Sequence, residues 1–199
     1  MAQILYSPPS PYSAKVRMAA HYVGIEADSV VVTTAADPEE LINANPLGKI
    51  PTFITDEGKS VFDSRAITQY LNRVSGHKLF PRNAERRTDA ERYEALADGL
   101  CDVLLVHMYE RRVRPEEKVH QPWLDRQWSK AERALDALNE APPRLAGKLH
   151  AGHLAVAAAL GYLNLRFEGK WERGRPKLKR WLKRFEEVHP ELAKLLPHE

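Results

Sequence analysis

The chain has 199 residues, 30 Lys and Arg against 27 Asp and Glu, one cysteine and 43% hydrophobic residues, a length that suits one large domain or two small ones around a buried core. A formal charge of +3 is too slight to point to nucleic acid, and the lone Cys101 excludes an internal disulfide, a CxxC redox pair and a cysteine-rich zinc site. No run approaches the roughly 18 to 20 apolar residues of a membrane helix, and Ile4-Leu5-Tyr6 before Pro8 and Pro9, with no basic leader, does not read as a signal peptide.

The first eighty or so residues alternate short β-rich runs with short helical patterns. Gln3 to Tyr6, Ser29 to Thr33, Thr52 to Thr55 and Lys59 to Phe62 are strand candidates rich in β-branched or aromatic residues. Asp56-Glu57-Gly58 between the last two predicts an antiparallel hairpin. Val16, Ala19, Ala20 and Val23 recur at helical spacing, with Gly24 as a C-terminal stop. Asp37-Pro38-Glu39-Glu40 predicts a helix start in which Asp37 caps, Pro38 takes the first helical position and Glu40 reaches back. Ile67, Tyr70, Leu71 and Val74 mark a third helix, entered through Asp63 or Ser64 as its cap. The order β-α-β-α-β-β-α gives a small mixed sheet flanked by helices.

After Gly76 the strand signals stop. Ala97, Leu100, Cys101, Leu104, Leu105 and Met108 form an apolar stripe on a long helix from about Glu85 to Arg114. Trp123 to Leu138 and Leu154 to Phe167 read as two further helices, and Leu178, Trp181, Leu182 and Phe185 line another. Prolines punctuate them. Two domains are expected, 1–76 with the sheet and 82–199 all helical, joined near Gly76 and Pro81. Lys170 to Arg184 carries eight basic residues around its apolar stripe, which reads as the solvated face of a packed helix rather than a contact for membrane or nucleic acid. Cys101 reads as core packing rather than a reactive thiol.

Three places could carry chemistry. Ser7 to Ser13 forms the turn between the first strand and the first helix, where backbone N–H groups and the helix dipole favour an anion. Ser10 or Ser13 there can donate a hydrogen bond, or simply cap the helix. The second place is Asn45-Pro46-Leu47-Gly48-Lys49-Ile50-Pro51-Thr52. A proline directly before a strand is either cis, leaving the Ile50 N–H and C=O free to hold an extended peptide, or the end of an ordinary trans loop. Lys49 could pair a carboxylate. The third is Phe62-Asp63-Ser64-Arg65-Ala66-Ile67, where helix-start N–H groups with a Ser hydroxyl can take a carboxylate and the Asp an ammonium, or the Asp can serve only as cap.

Taken in order, these residues resemble the glutathione transferase family. The Ser10-Pro11-Tyr12 turn, the full Asn45 to Pro51 loop and the Asp63 to Ile67 helix start match its thioredoxin-like domain, closest to bacterial members with an active-site serine. The helical second half is also similar, so the resemblance covers nearly the whole chain. It implies an α+β thioredoxin-like N-terminal domain followed by an all-α C-terminal domain.

It also implies an enzyme that binds glutathione as co-substrate, needs no metal, and directs the glutathione thiolate at a small electrophile. Two alternatives are a non-catalytic glutathione-binding or interaction module, and glutathione-dependent peroxide or disulfide reduction. Ser10 would be the thiolate donor, with Ser13 as the alternative. The Ile50 backbone beside a cis Pro51 would pair with the cysteinyl part, Asp63 and Ser64 would hold the γ-glutamyl end, and Lys49 the glycine carboxylate. Asp98 would reach a neighbouring subunit's glutathione in a homodimer. The electrophile pocket would lie between Tyr12 and the long helix, with Met108, Tyr109 and Arg112. The protein would be cytoplasmic, without nucleic-acid or membrane partners. One departure stands out: where the family carries [ST]-x-x-D before its buried helix, this chain has His150-Ala151-Gly152-His153, so either the histidines cap poorly and packing supports the helix, or the register differs.

Overall fold

The computed structural model describes residues 1–199. Strand β1 (Ala2–Tyr6) runs into a turn closed by Ser10 N–H on the Ser7 carbonyl at 3.0 Å, and α1 (Pro11–Val23) follows. Gly24 ends α1 with φ 79°, the left-handed conformation that only glycine takes at little cost. Next come β2 (Ala27–Val31), a 3-10 turn at Thr34–Ala36, α2 (Glu39–Ala44), β3 (Thr52–Ile54), β4 (Ser60–Val61) and α3 (Ser64–Val74). The sheet order is β2-β1-β3-β4, with β1 parallel to β2 and antiparallel to β3, and β4 antiparallel to β3. The predicted hairpin is present, with Gly58 at φ 79° donating to the Thr55 carbonyl at 2.9 Å.

Two local expectations change. Strand β2 begins two residues earlier than its β-branched run, because parallel pairing with β1 sets Ala2 opposite Ala27. Asp37 does not cap α2. It sits at φ 43° and donates its N–H back to Thr34, closing the 3-10 turn, so Pro38 is the cap residue and Glu39 opens the helix.

The second half is helical throughout: α4 (Ala84–Val113), α5 (Gln121–Glu140), α6 (Ala151–Phe167), α7 (Pro176–Val188) and the short α8 (Pro190–Ala193). Helix α6 is apolar on every face from Leu154 to Leu163 and buried along that whole stretch, as a helix enclosed by others must be. It packs against α4 and also against α1, so one continuous core runs from Ile4 and Phe53 in the sheet region to Trp181 and Phe185. Leu178, Trp181, Leu182 and Phe185 of α7 are buried, while its basic side chains lie on the exposed face.

One of the two histidines at the start of α6 caps it. His153 Nδ1 accepts the His150 N–H at 3.1 Å, and His153 Nε2 meets the Arg144 carbonyl at 2.9 Å. The carbonyl fixes the tautomer, since only a protonated Nε2 can donate to it and leave Nδ1 as an acceptor. His150 occupies the reciprocal place of a capping box, but the His153 N–H donates to the His150 carbonyl at 2.9 Å, so His150 Nδ1 ends buried without a hydrogen bond. The imidazole thus replaces the carboxylate of an ordinary box.

Candidate functional site

The sheet register brings three loops to one edge. Leu5 at the end of β1 pairs with Thr52 at the start of β3, and Phe53 pairs with Val61 at the end of β4. The turn after β1, the loop before β3 and the entry to α3 therefore share the same end of the sheet, and α1 and α3 both begin there. Two helix N-termini at one edge favour negative charge bound between them.

Ser10 is the cap of α1: its Oγ accepts the Ser13 N–H at 3.2 Å. The hydroxyl proton is not used in that bond and stays available to a ligand. Ser13 is buried, and its Oγ has no partner.

The Ile50–Pro51 bond is cis. Buried Asn45 and Thr52 wire the loop from behind. Asn45 Nδ2 donates to the Lys49 carbonyl at 2.8 Å, Thr52 Oγ1 donates to the same carbonyl at 3.0 Å, and Asn45 Oδ1 accepts the Leu47 N–H at 3.1 Å. Gly48 has φ 61°, and a Cβ there would sit 3.1 Å from Ile42 Cδ1, so only glycine fits without strain. With Lys49 fixed in this way, the N–H and C=O of Ile50 make no hydrogen bond within the chain, which is the state of a free sheet edge. The Lys49 side chain is exposed and forms no ion pair.

At α3, Asp63 is the cap: one carboxylate oxygen, Oδ1, accepts from Arg65 N at 3.0 Å and Ala66 N at 3.4 Å. Oδ2 stays free for an ammonium. Ser64 follows as the first helical residue, 4% exposed.

Asp98 has its partners within its own chain. It is buried, and its carboxylate takes Lys15 Nζ at 2.7 and 2.9 Å and Arg65 Nε at 2.9 Å. Both oxygens bond cations of its own chain, so within the chain the side chain ties α4 to α1 and α3. Lys15, only 1% exposed, also reaches Glu94 at 3.2 Å, and Thr68 Oγ1 donates to Glu94 at 2.8 Å. Sequence reasoning missed Lys15, Arg65, Glu94 and Asp102. The available signal was three carboxylates at 94, 98 and 102, four residues apart on one helix face.

Tyr12 donates its hydroxyl to Asp102 Oδ1 across the domain junction. Burial, reinforced by Cys101 and the two aspartates, pushes the phenol well above its ordinary value, so it stays protonated. Burial likewise lifts the Cys101 thiol, leaving it inert packing. Met108 is half-buried against the core, and Tyr109 and Arg112 are exposed. They follow Asp102 outward on α4, so Arg112 stands about 15 Å further along the helix at 1.5 Å per residue.

These features agree with the comparisons to known proteins. Residues 9–74 match the glutathione S-transferase N-terminal domain, and residues 121–184 match the glutathione S-transferase C-terminal domain. A glutathione S-transferase of Methylobacillus flagellatus, solved with glutathione bound, is 33% identical and superposes over 100% of both chains with a TM-score of 0.90. A glutathione transferase family member from Pseudomonas fluorescens, also with bound glutathione, is 32% identical over 100% of both chains, with a TM-score of 0.88. The GST-like protein YibF of Escherichia coli is 36% identical over 133 residues, which is 61% of this chain and 62% of that protein. With its sheet edge, its cis Pro51 loop and a helical half superposing along the full length of solved members, the chain belongs to the glutathione S-transferase family.

Proposed function

We propose that this protein binds glutathione along the edge at Ile50 and directs its thiolate at a small electrophile. The observation that carries this reading is the unpaired Ile50 backbone, held beside cis Pro51 between two helix N-termini. An extended tripeptide can add there as a short strand, its cysteinyl N–H and C=O meeting the C=O and N–H of Ile50. In this placement Asp63 Oδ2 takes the γ-glutamyl ammonium, the Ser64 end of α3 takes its carboxylate, and Lys49 takes the glycine carboxylate.

The sulfur then faces Ser10 at the start of α1. A free thiol has a pKa of about 8.5, and helix N-termini or neighbouring donors lower it to roughly 3.5 to 7.5. The Ser10 proton and the α1 dipole both favour the thiolate, and holding it near an electrophile between Tyr12, Met108 and Arg112 supplies proximity. Residues 1–76 serve as the glutathione-binding domain and 82–199 as the helical domain that supplies the electrophile wall. The single, buried cysteine supports a reducing, cytoplasmic setting. Family membership carries the expectation of a homodimer, which sedimentation tests directly.

Retention on immobilised glutathione, followed by a conjugation assay across a panel of electrophiles, tests the whole reading. Retention with turnover, and loss of turnover but not of retention in Ser10→Ala, supports a transferase. Retention with no turnover of any electrophile leaves a glutathione-binding module instead, and unchanged turnover in Ser10→Ala removes Ser10 from its role.

A further inference from the structure

We infer that Asp102 selects the electrophile, favouring compounds that carry a cationic or hydrogen-bond-donating group close to the reactive carbon. The inference rests on the glutathione reading above and adds to it the class of second substrate.

The charges at the domain junction lead to Asp102. Lys15 and Arg65 are the cations there: Lys15 is held by Glu94 at 3.2 Å and Asp98 at 2.7 Å, and Arg65 by Asp98 at 2.9 Å. Two cations against two carboxylates leave that group balanced. Asp102, one turn further along α4, forms no ion pair, and its hydrogen bond comes from the neutral Tyr12 phenol. No cation bonds it directly, although Arg65, tied to Asp98, lies within electrostatic range, and it is exposed rather than buried in the junction.

Tyr12 is two residues from Ser10, so this carboxylate flanks the place where the sulfur is proposed to sit. The phenol proton is spent on Asp102, which leaves the phenol oxygen and Asp102 Oδ2 as acceptors. Acceptors with a negative charge attract a donor or a cation and repel an anion. They also offer no donor to an oxygen that becomes negative during addition. Beyond them α4 presents half-buried Leu105 and Met108, and Arg112, the next cation on that side of the helix, stands about 15 Å from Asp102 along it. A small substrate thus meets negative charge near its reacting end, then apolar surface, with Arg112 only at its far end.

The experiment compares two conjugates of equal size, S-(4-aminomethylbenzyl)glutathione and S-(4-carboxybenzyl)glutathione, with unmodified glutathione as reference, by titration calorimetry on the full chain. Asp102→Asn removes the charge and keeps the shape. Asp89→Asn removes a charge from the same helix near its exposed N-terminal end and serves as control. The cationic conjugate is expected to bind about tenfold more tightly than the anionic one in the native protein and in Asp89→Asn, and within about twofold in Asp102→Asn. In the native protein the preference should also shrink as salt is raised, a readout that holds even if the Asp102 variant folds poorly. Equal affinities in the native protein, or a preference unchanged by Asp102→Asn, would overturn the inference while leaving glutathione binding intact. Failure of glutathione itself to bind would overturn the glutathione reading and this inference together.

Discussion

Lys15 Nζ lies 2.7 Å from Asp98 Oδ2, with 1% and 6% of the two side chains exposed. That pair joins α1, which opens at Ser10, to the long helix α4. Through Asp98 it also joins α3, because Arg65 shares the same carboxylate. The helices that frame the sheet edge at Ile50 are thereby tied to the helical domain behind it.

Removing the lysine should be costly. Lys15→Met leaves Glu94 and Asp98 buried with only Arg65 for company, and breaking a buried pair costs about 3 to 5 kcal/mol. For a chain of this size that corresponds to a fall in melting temperature on the order of 10 °C. Combining Lys15→Met with Glu94→Gln and Asp98→Asn should recover much of the loss, since no buried charge is then left unpaired. Thermal melts of the single and triple variants check both statements.

Ser10→Ala should act twice and to unequal degrees. Loss of the cap on α1 costs about 1 kcal/mol of stability. Loss of the donor to the sulfur should lower turnover by about 10² or more, as removal of a single preorganised donor does in other enzymes. Chemical denaturation and initial-rate kinetics on one preparation separate the two. A stability loss with unchanged turnover would make Ser10 a cap and nothing else.

The histidine cap of α6 makes stability depend on pH. Burial and the facing His153 ring pull His150 down to about 3, and burial lowers His153 as well, while His189 on the next segment adds repulsion. Tyr93 stacks on the outer face of His150 and brings no charge to it. A histidine held neutral in the folded chain but free to protonate near 6.5 when unfolded contributes stability that is complete above about pH 7 and is lost as pH falls toward its folded value. Melting temperature should therefore drop by several degrees between pH 7 and pH 5. His150→Gln with His153→Gln should flatten that part of the profile, and an equal slope in the double variant would contradict it.

Gly152→Ala sets helix propensity against packing. Alanine is better than glycine in a helix by about 1 kcal/mol. A Cβ here, however, would sit 2.6 Å from Tyr93 Cβ and 2.7 Å from the Ala90 carbonyl oxygen, both on α4. Overpacking of that kind costs about 1 to 3 kcal/mol or more, so the variant should be less stable than the native chain in a urea titration.

Much of this was legible in the sequence, for reasons that differ between residues. The strands, the hairpin at Asp56 to Gly58 and the long helix follow from periodicity and turn chemistry, which act locally. Ile50 and Asp63 were legible because backbone at a proline or a helix start carries its own exposed polar groups. Lys15 was not, because a lysine beside Val16 reads as solvent-facing until helices close over it from both sides. The intrachain partners of Asp98 were hidden for the same reason: a carboxylate's partner is set by which helices cross. The Asp37 cap failed because the residue adopted a left-handed turn conformation, and the His150 and His153 cap was hidden by its unusual side chains.

The central claim is that a peptide pairs with the Ile50 backbone, and hydrogen exchange at that amide tests it most directly. The free Ile50 N–H has no partner, so it should exchange quickly in the protein alone and slow by at least tenfold when glutathione is saturating, read by heteronuclear NMR. Binding of glutathione that leaves exchange at Ile50 unchanged would contradict the account.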